Sequence, residues 1–254
     1  NDVRVLIDGQ GADEYLGGYM HSFYPLLVQM MKKGKLIDAA KLLFSHVKRQ
    51  GYSPVKAKMI VLKTLLTLFK SDDIIFKYDL CKIGCLLDEK VFDKCGDVKF
   101  FDYSNNIFDN FSYNLTFLTS LPTLLHFGDT NSMAFSIESR VPFLDHRIVE
   151  FMYSTKDTDK INLKAETKFL MREALADILP HAIKERKDKK GFVTPGETVW
   201  LRGPLSHLLE INYNNLYWLN KEKISKMIEK YKKGDNSNAI TVWCICMLNL
   251  WIKE

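Results

Sequence analysis

Four groups of side chains in this chain have the type and spacing to do chemistry. Near the start, Asp8-Gly9-Gln10-Gly11 follows a short apolar run, residues 3–7, and leads into residues 12–16, with Asp13 and Glu14 in the first turn of what reads as a helix. Two glycines let the backbone take φ > 0 or let another molecule come close. Strand, glycine turn and helix N-terminus together present free N–H groups to a phosphate or carboxylate. The acidic pair would repel a bare phosphate, and an Mg²⁺ between the carboxylates and the phosphates would remove that conflict. The same residues also suit a plain tight turn whose acidic first helical turn complements the helix dipole.

The second group is Glu138, Arg140, Asp145 and Arg147, set in the otherwise apolar stretch 131–147. Such charges are expensive to bury alone, so Glu138 and Arg140 either pair with other charges or face a polar cleft. The third is Lys168 with Arg172, four residues apart on one helix face, for which a solvated basic face is the ordinary use. The fourth is the loop R-K-D-K-K-G-F-V-T-P, residues 186–195, where lysines flank Gly191 before Pro195. A lysine there can swing onto a phosphate and leave with it.

The elements that must position these groups are mostly helical. Residues 3–7 are β-branched and apolar, the length of one buried strand. Phe23, Leu26, Leu27, Met30 and Met31 recur at helical spacing until Gly34. Leu36, Ala39, Ala40, Leu43, Phe44 and Val47 form a second amphipathic stretch ending near Gly51. Pro54 starts a third that runs to Phe69. Residues 71–105 read as a loop-rich excursion. Residues 106–121 return to helix and stop near Pro122, after which 123–127 begin another. His146 opens a short helix. Residues 164–179 form one more, with Phe169, Leu170, Leu175 and Ile178 inward and Pro180 closing it. Three further helices are expected around 197–202, 221–232 and 238–253.

The 254 residues carry a formal charge of +5, with 46% hydrophobic and 26% charged residues, enough apolar material for a sizeable core. The basic residues lie in scattered clusters, which argues against a nucleic-acid arm and suits the lining of a polyphosphate site. Five cysteines, Cys81, Cys85, Cys95, Cys244 and Cys246, lack C-x-x-C spacing and read as free, mostly buried thiols. No apolar run has the length of a membrane span. A lone strand at the start needs neighbours from elsewhere, so the chain is expected to be the C-terminal piece of a longer protein.

Taken in order, D-G-Q-G-A-D-E-Y-L-G-G-Y, S-M-A-F-S-I-E-S-R-V-P-F-L-D-H, K-F-L-M-R-E-A-L and K-K-G-F-V-T-P resemble the synthetase domain of the glutamine-hydrolysing asparagine synthetase family. The resemblance is firm over residues 3–19 and 129–202 and loose in the helices between. It implies that residues 1–254 are the C-terminal part of that domain. The implied fold is a predominantly α-helical fragment of an α/β ATP-pyrophosphatase-type (adenine nucleotide α-hydrolase-like) domain, retaining one buried strand near its N-terminus. The family's S-G-G-x-D-S pyrophosphate loop and glutaminase domain would both lie upstream.

The implied chemistry is ATP-dependent, cytoplasmic amide formation through an acyl-adenylate. Aspartate or another carboxylic acid is the substrate, and ammonia comes from glutamine by way of the glutaminase domain. The fragment by itself is expected to be inactive, and a homodimer is left open. By similarity, Asp8, Gly9, Gln10 and Gly11 lie against the nucleotide and Asp13 binds Mg²⁺. Lys168 contacts pyrophosphate, Lys189 stabilises the charge of adenylation and of the tetrahedral intermediate, and Glu138 with Arg140 shapes the cleft. Many members carry Glu at the position of Gln10, which by similarity is associated with proton handling or amine recognition near the acyl carbon; an amide there can hydrogen-bond but cannot act as a general base. Thr130 likewise replaces a common Arg. Two other readings follow from the same residues: a biosynthetic-cluster relative acting on a different acid, or a helical interaction module without catalysis.

Overall fold

The computed structural model describes residues 3–68, 86–87, 99–186, 195–214 and 216–252. The chain forms two compact units, one of Asn1–Asp72 with Lys99–Lys189, the other of Asp73–Val98 with Lys190–Glu254.

The first unit begins with β1 (Val5–Ile7) and the glycine turn, then the single helical turn α1 (Ala12–Tyr15). The long helices α2 (Phe23–Lys32), α3 (Leu36–Gln50) and α4 (Pro54–Leu68) follow with the boundaries their glycines and proline dictate. Gly51 ends α3 at φ 61°, its N–H on the Lys48 carbonyl and that of Tyr52 on Val47, which closes the last turn as only an αL residue can. Phe23, Leu26, Leu27 and Met30 of α2 bury against Ala39 and Leu42 of α3 and against Phe108 and Ile161.

Helix α5 (Ile107–Phe117) is capped by Asn106, whose side-chain oxygen accepts from the N–H groups of Phe108 and Asp109. Helix α6 (Ser120–Met133) begins where an end was expected. Pro122 falls in its first turn, where a missing N–H costs nothing.

Strand β2 (Glu138–Arg140) pairs in parallel with β1, Val5 opposite Glu138 and Ile7 opposite Arg140. This second strand was not foreseen, and the expectation of one buried strand fails with it. All three residues of β1 are exposed, Ile7 by 78%, because a two-stranded sheet is too small to bury its strands and, among the described residues, little else covers β1.

Beyond β2 come α7 (His146–Ser154), α8 (Asp157–Lys160), α9 (Phe169–Ala174) and α10 (His181–Lys184). The helix expected over 164–179 shrinks to the six residues of α9. Asn162 accepts the N–H groups of Lys164 and Glu166 on its side-chain oxygen, and Ala165 and Lys168 both take φ near +55°, so the segment before Phe169 is a turn. Ile178, expected inward, is exposed.

In the second unit α11 (Lys221–Lys232) and α12 (Ala239–Trp251) bury Ile224, Ile228, Val242, Ile245 and Cys246 around Leu201, Leu216 and Leu219. The helix expected over 197–202 is a single wide turn at Gly196–Trp200. Tyr231 is buried beneath it, donating its hydroxyl to the Glu197 carbonyl at 2.7 Å while the Arg202 guanidinium lies over its ring at 4.4 Å. Of the cysteines, Cys81, Cys85 and Cys95 lie outside the described residues, Cys244 is exposed and Cys246 is buried. Among the described residues no helix is long and apolar enough to cross a membrane.

Two outcomes follow for solution experiments. Gly17 holds φ 66°, and a Cβ there would lie 2.8 Å from the side chain of the buried Ile161. Gly17→Ala should therefore lower stability by about 2–4 kcal/mol in urea unfolding, from strain and overpacking together; a loss within error of zero would contradict this packing. Burial pushes the Cys246 thiol up to about 11, leaving ~0.1% thiolate at pH 8. Mass spectrometry after iodoacetamide should show Cys244 modified in the folded chain and Cys246 only after unfolding.

Candidate functional site

The site is built around the end of β1. Asp8 extends the parallel ladder by one bond, its N–H donating to the Arg140 carbonyl at 2.8 Å, and the chain then leaves the sheet. Gly9 is exposed, with open space where a Cβ would project. Gln10 is partly covered. Gly11 is buried at φ 98°, and any side chain there would run into Leu144, so this glycine has a reason internal to the fold.

The two acids of α1 go different ways. Glu14 is 1% exposed and turns inward, where its Oε1 accepts from the Tyr19 hydroxyl at 2.6 Å and from Ser120 Oγ at 2.9 Å. Its backbone carbonyl accepts from Ser112 Oγ at 2.8 Å. Next to it the wholly buried Tyr15 donates to the Phe143 carbonyl at 2.7 Å, and burial pushes its hydroxyl up to about 12. Burial and the bond to Glu14 push the Tyr19 hydroxyl up as well. The carboxylate of Glu14 is thus consumed inside the protein, which corrects the expectation that both acids of this turn face a metal ion.

Asp13 faces the other way. Its Oδ1 lies 2.8 Å from Lys168 Nζ, and the two side chains are 18% and 22% exposed. Lys168 is not in a helix interior. It sits just before α9 in the left-handed conformation, φ 54°, with its N–H on the Leu16 carbonyl at 3.3 Å. Gly18 lies against the pair: a Cβ would collide with Asp13 Oδ1 and come within 2.7 Å of Lys168 Cε. In the sequence Gly18 and Tyr19 stand inside the first motif without an assigned role, and Ser120 stands outside every motif. The only signal was G-G-Y directly after the acidic turn.

Coulomb attraction at 2.8 Å is about 6 kcal/mol at an effective dielectric near 20, and most of it is returned as desolvation of the two charges. The net hold on Lys168 is therefore weak enough for a stronger anion to compete for it.

Arg172 does not share a solvated face with Lys168. Its guanidinium donates to the carbonyls of Thr167 at 3.0 Å and Lys184 at 2.7 Å, fastening α9 to α10. Glu138 and Arg140 are exposed and pair with each other, Nε to Oε1 at 2.9 Å, beside the Asp8 turn. Lys189 lies outside the described residues, as does the rest of 187–194. Among the described residues no three His, Cys, Asp or Glu side chains gather as a metal site.

Comparison with known proteins agrees with the sequence resemblance. The family model for asparagine synthase matches residues 1–253. Asparagine synthetase (glutamine-hydrolyzing) 1 of Bacillus subtilis is 24% identical over 98% of this chain and 40% of its own length. A putative asparagine synthetase (glutamine-hydrolyzing) of Mycobacterium bovis is 29% identical over 49% of this chain and 19% of its own. Asparagine synthetase (glutamine-hydrolyzing) 3 of B. subtilis is 40% identical over 30% of this chain and 12% of its own. The chain thus spans well under half the length of these relatives. No solved structure matches significantly.

The Glu14 contacts make a direct test. Glu14→Gln keeps an accepting oxygen for both hydroxyls and should cost about 1 kcal/mol, whereas Glu14→Ala strands them in a dry site and should cost about 3 kcal/mol. Equal unfolding midpoints for the two variants would refute the arrangement.

Proposed function

Because the chain belongs to the asparagine synthase family, we propose that it forms part of the synthetase domain of an ATP-dependent, AMP-forming ligase that makes asparagine from aspartate. The reading is supported most by the Asp13–Lys168 pair, a carboxylate and an ammonium held at 2.8 Å beside a glycine turn with open space at Gly9. A nucleotide polyphosphate offers a partner to that ammonium and, through a cation, to that carboxylate.

In this reading a carboxylate oxygen of the acid attacks the α-phosphorus of ATP. The bond to the bridging oxygen breaks with its electron pair, and pyrophosphate leaves. The lone pair of ammonia then attacks the acyl carbon of the acyl-adenylate, the nitrogen gives up a proton, and the acyl C–O bond breaks to release AMP. Negative charge builds up in both steps, so cations and backbone donors carry the catalysis.

Main-chain groups of Asp8, Gly9, Gln10 and Gly11 hold the nucleotide, and Lys168 turns from Asp13 to the pyrophosphate. Lys189 neutralises charge on the phosphoryl group and on the tetrahedral carbon. Glu138 and Arg140, paired beside the turn, form a wall of the cleft. Bound Mg²⁺ would supply charge neutralisation among the phosphate oxygens. One carboxylate, Asp13, fits it in the common form in which phosphates and water provide most of the ligands. The ammonia would come from a glutaminase domain of the full-length protein, in line with relatives named as glutamine-hydrolyzing. The reaction would run in the cytoplasm.

Gln10 favours a second reading of the acid. A neutral amide beside the acyl carbon takes no proton, which suits a relative whose acceptor carboxylic acid is not aspartate. Screening carboxylic acids for AMP release separates the two, and release with aspartate above all others would settle against the second.

In the full-length protein, Asp13→Asn and Lys189→Ala should each slow ATP–pyrophosphate exchange by at least ~10²-fold, the scale of removing one oriented electrostatic group. Normal exchange in both variants would remove these residues from the site. The 254 residues alone should release no AMP, since the family's S-G-G-x-D-S pyrophosphate loop is not among them; measurable turnover would contradict that.

A further inference from the structure

The first unit holds a polar cavity of about 220 Å³ that shares no residue with the Asp13–Lys168 site. It lies where the end of α2 meets Asn106, the start of α5 and residues 155–158. Its inner wall joins one buried side chain, Gln29, to three half-buried ones, Asn106, Asp109 and Asp157. Gln29, only 2% exposed, accepts the Ile107 N–H on Oε1 at 3.0 Å, and its amide –NH₂ has no hydrogen-bond partner among the described residues. Asn106 Nδ2 donates to both oxygens of Asp157, at 2.9 and 3.1 Å. Asp109 accepts on Oδ1 from the Nζ of Lys160 at 3.0 Å. Lys160 is itself fully buried, with its ammonium over the rings of Phe108 and Tyr153 at 5.6 and 5.3 Å. Asp109 Oδ2 has no partner among the described residues.

The electrostatics of this wall are unfinished on both sides. Burial raises the Asp157 carboxyl above the usual range, against the opposing pull of Asn106, and Lys160 and Lys33 pull the same way as Asn106. Lys33, on the cavity lining, is exposed and makes no ion pair among the described residues. One part of the wall therefore wants a cation, and another, at Gln29 and Lys33, wants an acceptor.

A free phosphate would meet the carboxylates, and a divalent cation would meet the lysines. An uncharged molecule would leave both sets as they are. A small molecule bearing one charge of each sign satisfies them together. The space, equivalent to about seven waters at ~30 Å³ each, fits a molecule between glycine and glutamine in size. We infer that this cavity binds a free α-amino acid, its ammonium against Asp157 and Asp109 and its carboxylate against the Gln29 amide and the Lys33 ammonium.

The test is calorimetric titration of the 254-residue chain with glycine, L-aspartate and L-glutamine, with acetate, methylamine and inorganic phosphate as controls that carry charge of one sign only. At least one amino acid should bind saturably, and every control at least ~10-fold more weakly, since each loses a charge-assisted contact of about 1.5–3 kcal/mol. Asp157→Asn should weaken amino-acid binding by ~10-fold or more. Lys33→Ala, at an exposed position that cannot threaten folding, should weaken it by ~5-fold or more through loss of a charge-assisted bond. Asp13→Asn should leave it unchanged, so the result is independent of the catalytic reading. Absence of binding by all three amino acids, phosphate binding as tight as theirs, or unaltered affinity in Lys33→Ala would overturn the inference.

Discussion

The carboxylate of Glu14 is where the glycine turn is fastened to the helical body of the first unit. It takes two hydroxyls, from Tyr19 and from Ser120 at the start of α6, while its backbone carbonyl takes a third from Ser112 of α5. A carboxyl group so deeply buried is tolerated only because oriented hydroxyls replace its water. The consequence is geometric. With Glu14 locked inward, the rotation of this single helical turn is fixed, and in that rotation Asp13, about 100° further round the helix, faces Lys168. The orientation of the outward acid is thus set by the burial of the inward one.

Chain conformation around Lys168 serves the same end. Lys168 reaches Asp13 from a left-handed backbone position, against the steric preference of any residue with a Cβ, and a strain of this kind persists only where surrounding contacts over-determine it. Those contacts are the bond from its own N–H to Leu16 and the Arg172 guanidinium on Thr167 and Lys184. Gly18 completes the arrangement by leaving the space that carboxylate and ammonium occupy when they meet. Residues far apart in the chain are brought together by backbone geometry first and by charge second.

Much of this was legible in the sequence, and the failures have physical causes. Helices α2, α3, α4 and α11 announced themselves because each has a clean apolar face and a Gly, Pro or Asn at an end. The four ordered motifs identified the family, whose model matches nearly the whole chain. Pro122 misled because proline is a stop signal inside a helix and a start signal in its first turn, and sequence alone does not separate the two. The helix over 164–179 failed because Asn162, outside the periodic stretch, captures its first N–H groups. Strand β2 escaped because its partner lies at the other end of the unit. Within the site, Asp13 and Lys168 were singled out separately, but no spacing rule connects them. The split between Asp13 and Glu14 depends on Tyr19 and Ser120, whose hydroxyls carry no signature.

The bare sheet has a practical bearing of its own. Val5, Leu6 and Ile7 expose apolar side chains, and among the described residues no further strand pairs with the outer edge of β1 and no lysine, proline or bulge in the strand blunts it. Anyone concentrating these 254 residues in dilute buffer would be handling a template for cross-strand stacking. Light scattering would rise with protein concentration well before any helix had melted.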